Sequence, residues 1–141
     1  MTSRRQFFAI SLAAVPILSR WPGASASDCG HNVVLRDRHP TPRPGIDASR
    51  VLKDDELQDF PDAIVAFKEV RQIPHIVDGI RCYCGCADGK GYYSLLSCYE
   101  RPSGMAQMCD KCQGQGRYAF RLHRDGKSLD EIRAAIDARY A

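Results

Sequence analysis

Cysteine is the residue of this chain with the most distinctive chemistry, and six of its seven cysteines fall within residues 82–112. Three alternate in Cys82-Tyr83-Cys84-Gly85-Cys86, a fourth is Cys98, and Cys109 and Cys112 form a Cys-x-x-Cys pair. Alternate side chains of an extended segment point to one side. Gly85 can take a positive φ, which would fold the third thiol back towards the first two. The spacing therefore predicts a cluster of thiols.

Three kinds of chemistry compete for these sulfurs. Soft thiolates select copper(I) or zinc, and zinc sites in proteins commonly have four ligands. A disulfide framework would instead staple an interaction domain, with pairings that spacing cannot resolve. Thiol exchange is the third, with Cys109 near a helix start, where the helix dipole favours a thiolate. We favour copper(I) or zinc binding, with ligands drawn from Cys82, Cys84, Cys86, Cys98, Cys109 and Cys112.

Other catalytic patterns are missing from the sequence. It contains no Ser-His-Asp arrangement, no paired carboxylates, no His-Glu-x-x-His and no phosphate-binding loop. An enzyme of this sequence would have to be a thiol-disulfide oxidoreductase that uses Cys109 and Cys112. The sequence favours binding over catalysis, with a metal ion as the ligand and another exported metalloprotein as the protein partner.

Residues 1–26 have the pattern of an export signal. Ser3-Arg4-Arg5-Gln6-Phe7-Phe8 looks like a twin-arginine motif, and Ala24-Ser25-Ala26 fits the small-residue cleavage pattern. The apolar run from Phe7 to Leu18 is shorter than the roughly 20 residues that a spanning helix needs. We therefore expect export by the twin-arginine route to the periplasm or the outside of the cell, with no membrane span after cleavage.

The net charge of +3 comes from the same segment. Residues 1–26 contain three arginines and no acidic residue, so the remaining chain is neutral. A neutral chain lacks the basic footprint of a nucleic-acid-binding protein, and we exclude nucleic acid as a partner.

The rest of the chain divides into two parts. Residues 27–49 contain Cys29, His31 and several prolines, which favours an irregular arm. Residues 50–141 predict a mainly α, Cys-rich domain of about four helices around a Cys-rich loop. The expected helices run between Pro61 and Pro74, from Tyr92 to Glu100, from Met105 to His123, and from the Ser128 capping box to Tyr140.

The cysteine pattern resembles the exported bacterial proteins named for a PCYCGC motif, a family without an established function. The resemblance covers the Cys82–Cys86 loop, Cys98-Tyr99, the Cys109/Cys112 pair and several positions up to Tyr140. This chain has Arg81 where the family has proline, and it lacks family histidines near Tyr92 and Met105. If those histidines are ligands in relatives, the resemblance implies that Met105 is a soft replacement here, which favours copper(I).

Overall fold

The computed structural model describes residues 39–141, apart from the side chains of Cys86 and Ala87. This part of the chain is mainly helical and has five α-helices: α1 (Ile64–Val70), α2 (Pro74–Asp78), α3 (Cys86–Lys90), α4 (Asp110–Arg124) and α5 (Leu129–Tyr140). Four short 3₁₀ helices join them: Asp54–Leu57, Pro61–Ala63, Leu96–Cys98 and Met105–Met108. Extended pairing within these residues is limited to an isolated antiparallel bridge between Val51 and Glu100. The mainly α fold class is confirmed.

Several predictions concern residues that lie outside this range. The export signal of residues 1–26 and the first part of the predicted arm, with Cys29 and His31, are among them. Within residues 39–141, no helix combines the length and the apolar character that crossing a bilayer requires.

Helix α4 is the element against which the others pack. It contacts α1, α2 and α5, and its buried face contains Cys112, Gln115, Gly116, Ala119 and Phe120. Gly116 permits a close approach, because a Cβ there would overlap Tyr99 Oη and would lie 2.8 Å from a methyl group of Val70. The Tyr99 hydroxyl can therefore donate a hydrogen bond to the Cys112 carbonyl at 2.7 Å.

Helix α5 begins where the sequence predicts. Ser128 Oγ accepts a hydrogen bond from Glu131 N, and the Glu131 side chain accepts one from Ser128 N in return. This reciprocal pair satisfies backbone donors at the helix start. Ile132 and Ile136 are fully buried against the core, as their helical spacing indicates.

Residues 39–49 contain no helix or strand, yet they are bound to the helical body at several points. The backbone N–H and guanidinium of Arg43 donate to the buried carboxylate of Asp78 at 2.7 Å each. The Arg133 guanidinium of α5 donates to the Pro40 carbonyl at 2.7 Å. This part of the arm is consequently fixed against α2 and α5.

The structure differs from the expected helix boundaries in three places. The helix expected from Met105 to His123 is interrupted at Cys109, which is extended with φ −124° and ψ 100°. The helix expected from Tyr92 to Glu100 is only the 3₁₀ turn Leu96–Cys98. The helix expected to end at Pro74 ends at Val70, and Pro74 instead occupies the first turn of α2, a position where its missing N–H is not needed.

Candidate metal centre

Three separate segments bring four thiols together. Cys82 and Cys84 come from the loop before α3, Cys98 ends a 3₁₀ turn, and Cys112 lies in the first turn of α4. Their four Sγ atoms all lie within 4.8 Å of one another. Cys82 Sγ is 3.2 Å from Cys84 Sγ and 3.5 Å from Cys112 Sγ. We call these four residues the thiol cluster.

The loop that contains Cys82 and Cys84 is fixed at both its backbone and its aromatic side chain. Leu95 N donates to the Ile80 carbonyl at 2.7 Å, and the Tyr83 hydroxyl donates to Asp137 of α5 at 2.5 Å. Gly85 has φ +82°, the left-handed conformation that glycine adopts without strain. The predicted turn at Gly85 is thus present, and the chain enters α3 directly after it.

Cys98 and Cys112 are positioned by the hydrophobic core. Tyr99 follows Cys98, is fully buried, and packs its ring edge-on against Phe67 with centroids 4.7 Å apart. Its hydroxyl bonds the carbonyl of Cys112 itself. Two of the four thiols are therefore held by the same contact that joins the 3₁₀ turn to α4.

The thiol cluster is buried on most sides. Cys98 and Cys112 have no exposed surface and Cys82 has 2%, whereas Cys84 is half-buried. The cluster therefore meets solvent through Cys84.

The protons of the cluster are unevenly distributed. Hydrogen bonds from Cys112 and Cys98 outweigh burial and lower the pKa of Cys82 to about 3. The hydrogen bond to Cys82, then that to Cys98 and burial, raise the pKa of Cys112. The hydrogen bond from Cys112 lowers the pKa of Cys98. The hydrogen bond to Cys82 and burial outweigh this effect, so the pKa of Cys98 is raised. These contacts favour ionisation of Cys82 and disfavour ionisation of Cys98 and Cys112.

These distances suit a tetrahedral thiolate centre. With metal–sulfur bonds of about 2.3 Å, four sulfurs around zinc lie about 3.8 Å apart. The separations of 3.2 and 3.5 Å between Cys82 Sγ and two other sulfurs, and the 4.8 Å limit for the whole cluster, bracket this value. The N-terminus of α4 also favours negative charge at Cys112. The cluster is close enough to hold a metal ion.

The other predicted ligands have different positions. Cys109 caps α4, and its Sγ accepts the backbone N–H of Cys112 at 3.4 Å. Met105 begins the preceding 3₁₀ turn and is half-buried. The side chain of Cys86 lies outside the described residues. A ligand role for these three residues stays a prediction.

Gln115 lies beside the cluster and was not predicted from the sequence. It lies three positions after Cys112, hence on the same face of α4, and it is fully buried. Its Oε1 accepts the backbone N–H of Tyr83, between two of the thiols, at 3.4 Å. The i to i+3 spacing from Cys112 was the one available signal.

Comparison with known proteins places the chain in a family. Residues 49–141 match the model of the family described as "Protein of unknown function with PCYCGC motif", and the chain belongs to that family. No curated protein matches the chain. No solved structure matches it either.

Arg81 occupies the position of the proline in the family motif, and the structure gives this difference a consequence. Arg81 N donates a hydrogen bond to His39 Nδ1 at 3.0 Å, which a proline could not do because it has no N–H. His39 Nε2 in turn lies 2.8 Å from the Asp137 carboxylate. In this chain the loop of thiols is therefore joined to the arm.

Proposed function

We propose that this protein is an exported metal-binding protein that holds copper(I) or zinc in the thiol cluster and hands the ion to a partner. The observation that supports this proposal best is the convergence of four sulfurs from three chain segments to within 4.8 Å. Soft thiolates favour these two ions over harder cations. Cys82, Cys84, Cys98 and Cys112 are the ligands.

Delivery, rather than purely structural binding, is supported by the unequal burial of the ligands. A structural site is typically closed by its ligands, but the half-buried Cys84 leaves one side of the cluster accessible. A thiol of an incoming partner can reach the ion from that side. Another exported metalloprotein is the kind of partner that we propose.

Anaerobic titration of the fully reduced chain tests the proposal. Copper(I) and zinc would each be titrated against a competing chelator, with native mass spectrometry to count bound ions. We expect one ion per chain, and we expect Cys98→Ser to lower the affinity by at least about tenfold, since one of the four thiolates is lost. Cys109→Ser is the comparison variant, since Cys109 is not among the four sulfurs that lie within 4.8 Å of one another. Wild-type affinity would limit the ligands to those four, and weakened binding would add Cys109.

Two results would contradict metal binding. One is a reduced chain that takes up neither ion. The other is purified native protein whose cysteines are all paired in disulfides that resist mild reductant, which would make the cysteines a covalent staple. No disulfide links the five cysteines whose side chains the structure describes.

Thiol-disulfide exchange is the second candidate, and one observation favours it. Half-buried Cys109 stands at the N-cap of α4 and buried Cys112 stands three residues later. A Cys-x-x-Cys pair at a helix start is a common setting for a reactive thiol. If Cys109→Ser abolishes cycling with a dithiol reductant while metal uptake is absent in wild type, this candidate replaces the first.

A further inference from the structure

Among the described residues, only the oxygen end of the Gln115 side-chain amide has a hydrogen-bond partner. Its Oε1 accepts the Tyr83 N–H, which fixes the oxygen towards the loop of thiols and so assigns the other end of the amide as a donor. Within the part of the chain that the structure describes, Nε2 is buried and has no hydrogen-bond acceptor. A buried donor without a partner is costly, and such atoms in native structures call for an explanation.

Two other buried polar atoms in the described part of the chain also lack a hydrogen bond, Glu69 Oε2 and Glu100 Oε1, but their surroundings differ from those of Gln115 Nε2. Glu69 Oε2 lies 3.4 Å from Arg117 Nε, and the carboxylate of Glu100 lies 3.6 Å from the Arg43 guanidinium. Both carboxylates therefore face a positive charge. In residues 39–141, Gln115 Nε2 has no hydrogen-bond partner, and it has no ion pair to offset this.

The surroundings of the Gln115 amide identify the acceptor that suits it. Tyr83, to which Oε1 is bonded, stands between Cys82 and Cys84. Cys112, a third member of the thiol cluster, is one helical turn before Gln115 on the same face of α4. Binding of a cation would deprotonate the cluster and place several negative sulfurs in a buried site, where donors that stabilise them matter most.

We propose that Gln115 Nε2 donates a hydrogen bond to a metal-bound thiolate of the Cys82/Cys84 pair, and that Gln115 thereby sets the electron-donor strength of the site. This inference rests on the proposed metal-binding function. Gln115 is a positioning residue, because in this proposal it acts on a ligand sulfur and not on the ion. Outer-shell partners of this kind typically change metal affinity by about 10–100-fold when removed.

The first experiment observes the amide directly. The side-chain N–H₂ protons of Gln115 would be followed by NMR in the reduced full chain, before and after loading with an NMR-active isotope of cadmium. We expect one Gln115 proton to move downfield, to exchange slowly with water and to show a scalar coupling to cadmium. Gln113 is the internal control, since its amide donates to the Ala106 carbonyl at 2.9 Å and should not change.

The second experiment separates donation by Nε2 from support of Tyr83 by Oε1. Gln115→Glu keeps an acceptor for the Tyr83 N–H but has no N–H donor. Gln115→Leu removes both. With cobalt(II) as the probe, both variants should shift the sulfur-to-metal charge-transfer band to lower energy, because a thiolate without a donor is more electron-rich, and both should bind zinc about 10–100-fold more weakly.

A matched variant controls for the added charge. Gln113→Glu introduces a carboxylate two residues away on α4 and should retain the wild-type band and affinity. If Gln115→Glu behaves like wild type, or if Gln113→Glu shows the same shift, the donor role of Nε2 is wrong. Should Gln115→Glu fail to fold, the NMR result on wild type decides alone.

The two proposals fail in distinguishable ways. Wild-type chain that binds no metal overturns the proposed function and this inference together. Wild-type chain that binds metal with unchanged Gln115 resonances overturns only the role of Gln115.

Discussion

Cys82 and Cys112 lie 30 positions apart in the sequence, yet their sulfurs are 3.5 Å apart in a buried site. One belongs to a loop held by α5 and the arm, and the other to the first turn of α4. Their proximity therefore depends on the packing of the whole domain. A metal ion bound between them would stabilise the domain as well as the loop, since binding energy for a site absent in the unfolded chain adds to the folding energy.

The pH dependence of metal binding follows from the uneven distribution of protons. The pKa values of Cys98 and Cys112 are raised, so a metal ion must displace their protons, whereas the pKa of Cys82 is lowered by hydrogen bonds from Cys112 and Cys98. Affinity should therefore rise with pH, by about tenfold per pH unit for each proton displaced. Chelator competition at several pH values, with proton release measured in weak buffer, checks this. Affinity that is independent of pH would contradict it.

The ion pair between Arg43 and Asp78 should be a main support of the arm. Asp78 is fully buried, so Arg43→Ala would leave a buried carboxylate without its cation. We expect a loss of about 3 kcal/mol in the free energy of unfolding, measured by chemical denaturation. Arg50→Ala is the control: Arg50 donates to the Arg101 carbonyl at an exposed site, and its removal should cost less than about 0.5 kcal/mol.

The same carboxylate predicts the response to acid. Burial acts to raise the pKa of Asp78, but hydrogen bonds from Arg43 and Ser94 outweigh it and leave the pKa below the ordinary aspartate value. The stabilisation is therefore fully present above the ordinary value and is lost as the pH falls through the lowered one. Wild type should lose stability over that acidic interval, and Asp78→Asn should lose less there. Parallel stability curves for the two proteins would contradict this assignment.

Gly116 should not tolerate a side chain. A Cβ would overlap Tyr99 Oη and press on Val70, so Gly116→Ala should cost about 1–3 kcal/mol and weaken the bond between Tyr99 and Cys112. Thermal unfolding of the metal-free chain measures the cost. Gly89→Ala provides the comparison, because a Cβ at Gly89 meets nothing within 4 Å, and it should be neutral or slightly stabilising.

Export should depend on the arginine pair of the N-terminal segment. We expect Arg4→Lys combined with Arg5→Lys to block export and leave unprocessed chain in the cytoplasm, because the twin-arginine pathway reads both residues. Cell fractionation and N-terminal sequencing measure this. The single change Arg20→Lys, outside the motif, should leave export intact, and unaltered export of the double variant would contradict the route.

Local patterns predicted those parts of the fold that depend on neighbours in sequence. Ser128 and Glu131 satisfy each other's backbone donors, so the start of α5 could be read from four residues. The interruption at Cys109 could not, because its neighbours on both sides are helical. Its extended conformation leaves its sulfur to accept the Cys112 N–H, and a cap of this kind is not distinguishable from a helical residue by periodicity.

The sequence predicted that a cluster of thiols would form, but it did not predict which cysteines belong to the cluster. The grouping of cysteines indicated that sulfurs would meet, and Cys82, Cys84, Cys98 and Cys112 do so. That Cys109 lies outside this group depends on where α4 begins, which is decided by tertiary packing. Gln115 was missed for a related reason, since a glutamine within a helix is typically exposed, whereas this one is fully buried.

The hydrogen bond from Arg81 N to His39 Nδ1 requires a departure from the family motif, whereas the spacing of the sulfurs does not. A chain with the motif's proline at this position cannot form the bond, whatever residue stands at position 39, although its sulfurs can keep the same spacing. Arg81→Pro would therefore return the chain to the motif while it removes a direct link between arm and loop. An amino acid in place of the motif's imino acid thus ties the backbone of the thiol loop to the chain's own N-terminal arm, a tie that members with the proline cannot form.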